Sequence, residues 1–375
     1  MVDVTTSTGE GHMQLGAYSF GDVQTDPQTG RLGSTADGIR NLFDAITLAD
    51  AAGLDYFGVG EHHTREMPAS APATVLAAAA GATTSITLGS SVTVLSTEDP
   101  VRVFQQFATI DAISGGRAEI TAGRGSSVES FPLFGFSLGD YDDLYAEKLE
   151  LLLALNENER VTWSGKFRPA LDDALIVPRP VNGTLPIWLG TGGNPSSSIR
   201  AGKLGLPVAY GIIGGYADRF APLTELYRQT ALRAGHDASV IKVAVASPGL
   251  VAPTSQGAKD IYYEAWFRMM TELGKLRGFR PPTRPEFDAQ ANGRGALLVG
   301  SPSEVADRLI TLHKSLGHTR HILQMDVGNL PQATFLQSIE LLATEVLPAV
   351  RAELGDDSVE LVANPPVDGS AGGAA

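Results

Sequence analysis

The chain contains no cysteine. That excludes disulfides, a thiolate nucleophile, iron–sulfur ligation and cysteine-bound zinc, and it agrees with a cytoplasmic protein. Long hydrophobic runs are also missing. No apolar stretch reaches the ~18 unbroken residues of a membrane span, so no membrane partner is expected. Positive charge is scarce, with 28 Lys and Arg against 42 Asp and Glu and a formal net charge of −14. A surface of that sign repels a phosphate backbone, which argues against nucleic acid. An anionic ligand would need local donors that overcome the global field. No repeat, charge block or linker divides the chain. Residues 1–12 form a polar lead without the basic-then-apolar order of a secretory signal. What is present is a 43% hydrophobic chain of 375 residues, enough for one large core.

Hydrophobic periodicity organises that core. Eight apolar stretches read as strands: 14–20, 54–60, 86–95, 117–123, 186–192, 207–213, 241–251 and 321–327. The third, 86–95, is nearly apolar throughout, as expected when both sheet faces are covered. Helical patterns lie between them. Ile39, Leu42, Phe43, Ile46 and Ala49 keep one apolar face over 34–52, with Ser34 or Thr35 as cap and Gly53 at the stop. Asp99 and Pro100 start a helix that Gly115 and Gly116 end. Ser301, Pro302 and Glu304 spell a capping box. Residues 160–185 read as irregular and 278–295 as an insertion loop. The tail 355–375, rich in Gly, Ala and Pro, reads as disordered. An undivided alternation of this length closes most simply as a (β/α)8 TIM barrel over 13–354, with a doubly wound open sheet as the alternative.

In a barrel, chemistry collects at the C-terminal ends of the strands. Two of these ends look alike, GRGSS at 123–127 and GTGGNPSSS at 190–198. Each sets glycines after an apolar strand and then small hydroxyl residues. A helix start follows the second, which offers backbone N–H groups to an anion. With Arg124 between them, the pair points to a phosphate. The plainer reading is ordinary turn and cap chemistry. GRGSSV lacks the third glycine of a dinucleotide fingerprint, and no Walker pattern occurs.

The stretch GVGEHHTRE, residues 58–66, holds the chain's only adjacent histidines. Extended backbone alternates its side chains, so Glu61 and His63 share one side and His62 takes the other. No HxH or HExxH spacing accompanies them, so no metal site is expected. A proton-handling His at a strand end and a pair of satisfied structural histidines both remain open.

GEHH, the stretch SSVTVLSTEDPVRVFQQFATIDAISGGRAEITAGRGS at 90–126 and WLGTGGNPSSSIRAGKLGLP at 188–207 together resemble the bacterial luciferase-like monooxygenase family. The resemblance runs from about Gly16 to Leu347. It implies a (β/α)8 barrel that binds FMN or, in some branches, the deazaflavin F420. It implies an FMN-dependent oxidoreductase, most often a two-component monooxygenase. Reduced flavin then comes from a separate NAD(P)H-flavin reductase, and O2 oxygenates a small organic substrate. An F420-dependent hydride-transfer enzyme and a non-catalytic flavin-binding protein are the alternatives. A homodimer through the second and third barrel helices is implied as well, and the small residues of 71–82 suit such a contact. Carried over by position, Arg124 holds the flavin phosphate with Gly192, Gly193, Asn194 and Ser197. Ser91 and Val92 match the place where a cis non-proline peptide supports the flavin ring, and His62 matches the active-site histidine. Gly123 departs from the luciferases proper, which have a cysteine there. That departure implies a more open pocket.

Overall fold

The computed structural model describes residues 12–26, 28–125 and 128–355. The expectation of a disordered tail lies outside the described residues, as does most of the polar lead. The parallel strands are β1 (Gln14–Ser19), β2 (Tyr56–Val59), β3 (Thr87–Ser90) continued by β4 (Thr93–Val94), and β5 (Ala118–Gly123). After a hairpin, β6 (Arg160–Trp163) and β7 (Leu171–Leu175), follow β8 (Ile187–Thr191), β9 (Val208–Gly211) and β10 (Val243–Val251). Then come β11 (Leu298–Gly300) and β12 (Arg320–Gln324). Each barrel strand bonds the next in sequence, and β12 returns to β1 with Gln14 opposite Arg320 and Tyr18 opposite Gln324. The sheet is therefore a closed TIM barrel of eight parallel strands, counting β3 and β4 as one and leaving β11 as an extra partner at the end of β10.

The helices are α1 (Thr35–Ala52), α2 (Pro72–Ala82), α3 (Pro100–Ser114), the short α4 (Ser130–Leu133), α5 (Tyr141–Glu157) and α6 (Pro195–Leu204). Then follow α7 (Ala221–Arg233), α8 (Ser255–Arg277), α9 (Arg284–Ala291), α10 (Pro302–Leu316), α11 (Gln332–Leu341) and α12 (Leu347–Leu354). Their ends obey local chemistry. Ser34 and Asp37 make a reciprocal capping box, and Gly53 stops α1 in the left-handed region at φ 91°. Asp99 caps α3 through the backbone N–H groups of Val101 and Arg102. Only half of the box at Ser301 forms. Its hydroxyl accepts from the Glu304 N–H, but the Glu304 carboxylate turns instead to Lys259 Nζ at 2.9 Å.

Two stretches depart from the sequence reading. Residues 160–185 contain the antiparallel hairpin β6–β7, whose outward strands carry mixed polar and apolar residues and so show no clear period. Residues 278–295 contain α9, opened by a Thr283–Glu286 capping box. Phe287 anchors α9 in full burial against Trp266 of α8. The run Gln332–Leu354 has the length and mean hydropathy of a membrane span. Its buried positions, among them Phe335, Ile339, Leu342, Val346 and Val350, follow helical spacing, and α11 lies against α1 and β10. This is the pattern of a helix covering a barrel.

The N-terminal floor of the barrel is closed by one charge cluster. Arg320 sits between the Tyr56 and Trp188 rings, with centroids 4.7 and 4.6 Å away. It donates to both carboxylate oxygens of Glu119 at 2.5 and 3.1 Å, and to Gln14 Oε1 at 2.9 Å. With this end plugged, the open end is the C-terminal mouth.

Candidate active site

β2 delivers the histidines to the mouth, and alternation sorts them as expected. His63 Nε2 lies 3.1 Å from Glu61 Oε1. The other Glu61 oxygen accepts the Val94 N–H at 3.0 Å, so this buried pair ties β2 to β4. Burial raises the Glu61 carboxyl, partly opposed by the bonds from Val94 and His63. His62 faces the other way. Its Nδ1 is 2.7 Å from Glu129 Oε1, and the edge of Phe20 meets its ring at 4.5 Å. Burial lowers the His62 pKa, while Glu129 acts against that shift. No hydrogen bond engages His62 Nε2 among the described residues. Glu129 was not legible in the sequence. It lies 67 residues away on an irregular segment, and no motif marks it.

The peptide between Ser91 and Val92 is cis. It separates β3 from β4, and glycines make room around it. A Cβ on Gly60 would meet the Ser91 carbonyl oxygen at 2.7 Å. A Cβ on Gly123 would meet Val92 Cγ2 at 2.4 Å. This second contact corrects the expectation that Gly123 opens the pocket, because the Val92 side chain occupies the space that a residue at 123 would fill.

Arg124 follows β5, and the GTGGNP turn follows β8. These strands are hydrogen-bonded neighbours, so both sequence-predicted anion elements share one edge of the mouth. The Arg124 guanidinium lies over the Tyr141 ring at 5.4 Å and pairs with Asp142 at 2.6 Å. Asp142 is 73% exposed, so this is a surface partner of little energetic weight that a stronger anion can displace. At the turn, Gly193 has φ 101°, and a Cβ there would press on Phe220 at 2.8 Å. A Cβ on Gly192 would meet nothing within 4 Å, which leaves the approach to its backbone open. Asn194 caps α6 through Ser196. Its amide oxygen is therefore committed to the helix, and only its amide N–H groups remain for a ligand. The three serines divide. Ser196 bonds Asn194 and Ser198 bonds Tyr210 at 2.7 Å, while the Ser197 hydroxyl has no bond among the described residues. Among the described residues, an Arg124 guanidinium with one exposed carboxylate partner, an open glycine backbone and an unbonded Ser197 hydroxyl fit a phosphate group.

Two buried acids also stand at the mouth, just beyond β1 and β12. Ser19 Oγ donates to Asp326 Oδ2 at 2.5 Å, while Asp22 Oδ2 and Asp326 Oδ1 have no partner. Burial and mutual repulsion push Asp22 well up, and burial pushes Asp326 to about 6. Among the described residues, no group of three or more His, Cys, Asp or Glu is placed to hold a metal ion.

A closed parallel barrel that carries a histidine, an arginine and a glycine-rich turn at its C-terminal mouth falls in the class of TIM-barrel enzymes. Within that class, the chain belongs to the luciferase-like monooxygenase family, whose model matches residues 13–319. It is thus an enzyme of the monooxygenase and oxidoreductase class. It is 27% identical over 318 residues to 4-hydroxyprotoasukamycin monooxygenase of Streptomyces nodosus, covering 80% of this chain and 85% of the relative. It is 30% identical over 209 residues to F420-dependent glucose-6-phosphate dehydrogenase of Kineococcus radiotolerans, covering 53% of this chain and 58% of the relative. The fold matches monooxygenase RslO1 of Streptomyces bottropensis with a TM-score of 0.78 at 24% identity, over 90% of this chain and 99% of that one. It matches the FMN-bound oxygenating constituent of 3,6-diketocamphane monooxygenase of Pseudomonas putida at 0.71 and 21%, over 90% and 98%.

Proposed function

We propose that the protein is an FMN-dependent oxidoreductase acting as the oxygenating component of a two-component monooxygenase. Reduced FMN arrives from a separate NAD(P)H-flavin reductase, and O2 oxygenates a small organic substrate. The observation that carries this reading is that Arg124 and the Gly192–Ser197 turn follow the ends of the neighbouring strands β5 and β8. The FMN-bound structural relative and the monooxygenase relative support it. A second reading, an F420-dependent hydride transfer, draws support from the F420-dependent relative. A homodimer through α2 and α3 is part of the proposal. The small residues of α2 allow close approach of a second copy.

Arg124, the Gly192 and Gly193 backbone, the Asn194 amide and the Ser197 hydroxyl would hold the flavin phosphate. The bound flavin supplies the reaction with O2. Ser91 and Val92 would support its ring. Val92 and Phe20 present apolar surface near the mouth and would help to keep water out. Among the described residues, no hydrogen bond engages His62 Nε2. A neutral imidazole there accepts a proton and later returns it, the role suited to a group that titrates near neutrality.

Rapid mixing of the protein with reduced FMN and O2 tests the reading. The reoxidation of bound flavin is expected to depart in rate and spectrum from that of free flavin. Identical reoxidation with and without protein would reject it.

A further inference from the structure

The two ring nitrogens of His62 have different surroundings. Nδ1 meets the Glu129 carboxylate at 2.7 Å, and Nε2 makes no hydrogen bond among the described residues. A carboxylate only accepts, so the proton at this contact sits on Nδ1. The side chains are 12% and 29% exposed, which separates the pair from an ordinary surface contact.

Glu129 is also held from both sides. Before it, Arg124 lies over the Tyr141 ring and the Gly125 carbonyl accepts from the Tyr141 hydroxyl at 2.6 Å. After it, Phe131 is fully buried and stacks on Tyr141 at 5.5 Å. Phe134 meets the His63 ring edge at 5.3 Å. Phe136 lies under the Lys148 ammonium at 4.0 Å, and Lys148 donates to the Ser96 carbonyl at 2.7 Å. The segment 128–138 is thus held beside the histidine pair by Phe131 and Phe136, with the exposed Phe134 resting on His63. Its one carboxylate is delivered to His62.

We propose that Glu129 is the positioning residue for His62: it fixes the Nδ1–H tautomer and turns the Nε2 lone pair toward the reaction chamber. The inference deepens the reading of His62 as the proton-handling group and rests on it. Glu129 favours the charged imidazole, while burial and the neighbouring His63 oppose it. Phe20, packed from the end of β1, adds an apolar edge and no charge. Glu129 in turn is held below the usual glutamate range. Burial would raise it, but backbone N–H groups and His62 outweigh that effect. It therefore stays an anion at neutral pH, which the tautomer assignment needs.

Two-bond proton–nitrogen NMR of protein labelled with 15N-histidine tests the proposal, with His62 assigned by its loss in His62→Gln. The wild type should show the Nδ1–H pattern for neutral His62. Glu129→Gln, a near-isostere, should lower the His62 pKa by about 1, the smaller end of the effect of one adjacent opposite charge. Glu129→Ala should yield a mixture of tautomers. An unchanged tautomer and pKa in both variants would overturn the proposal, even if Glu129→Ala melts at a lower temperature. The catalytic reading fails separately: if His62→Ala keeps full turnover while the NMR shifts appear, His62 is positioned by Glu129 but is not the proton carrier.

Discussion

Val92 and Gly123 set up a test of how the mouth is built. In Gly123→Ala, the new Cβ would lie 2.4 Å from Val92 Cγ2 and 2.9 Å from Val92 Cβ. Carbon atoms rest at about 3.5–4.0 Å, so more than one ångström must be found. The Val92 tip cannot supply it by rotation alone, because its Cβ is also too close and a β-branched side chain is stiff at χ1. Overpacking of this kind costs about 1–3 kcal/mol. Val92→Ala removes two methyl groups from a half-buried position, a loss of about 1 kcal/mol at ~0.8 per methylene. The double variant keeps only the Cβ–Cβ approach, so its destabilisation should fall below the sum of the singles by about 1 kcal/mol or more. Thermal or urea unfolding of the four proteins, followed by circular dichroism, reads this coupling. Additivity to within about 0.5 kcal/mol, or a neutral Gly123→Ala, would refute the claim that Val92 occupies the space at residue 123.

Other consequences concern charge. At the barrel floor, Glu119→Gln leaves Arg320 buried with its charge uncompensated. It should cost about 3–5 kcal/mol, seen as a lower melting temperature, whereas a well-packed apolar replacement of both partners should recover much of that loss. At the mouth, Asp326 lies above the ordinary aspartate value of 3.8, at about 6, so the folded state holds a proton that the unfolded chain releases earlier. The sign follows by linkage: this group's contribution falls as pH rises through the interval from 3.8 to about 6, then stays flat. Asp326→Asn should therefore raise the melting temperature at pH 7 and lose its advantage near pH 4. An advantage independent of pH would contradict the assignment. Asp142→Ala frees the Arg124 guanidinium from its surface partner. FMN binding should tighten by no more than about fivefold, matching a pair worth up to ~1 kcal/mol, and a weakened affinity would show that Asp142 helps to hold the ligand.

How far the sequence led depends on the distance over which each signal acts. The barrel was legible because strand and helix periods are local, and so were Ser34, Gly53 and Asp99 as helix ends. The opposite facing of His62 and His63 also followed from local alternation. Glu129, Val92 against Gly123, and the Asp22–Asp326 pair depend on contacts between distant segments, and no spacing rule reaches them. The hairpin at 160–175 was hidden because its short outward strands carry little hydrophobic period. By contrast, α9 has a readable start in Thr283, Pro285 and Glu286, a capping box set among prolines that by themselves suggest a loop.

The central claim is that this mouth binds FMN through Arg124. Titration of the purified protein with FMN and with F420, followed by flavin fluorescence, tests it most directly, alongside Arg124→Ala. Saturable FMN binding and much weaker F420 binding are expected. Arg124→Ala should lose ten- to hundredfold in FMN affinity, from a charge-assisted contact worth about 1.5–3 kcal/mol. Tight F420 binding without FMN binding, or an unchanged FMN affinity in Arg124→Ala, would contradict it.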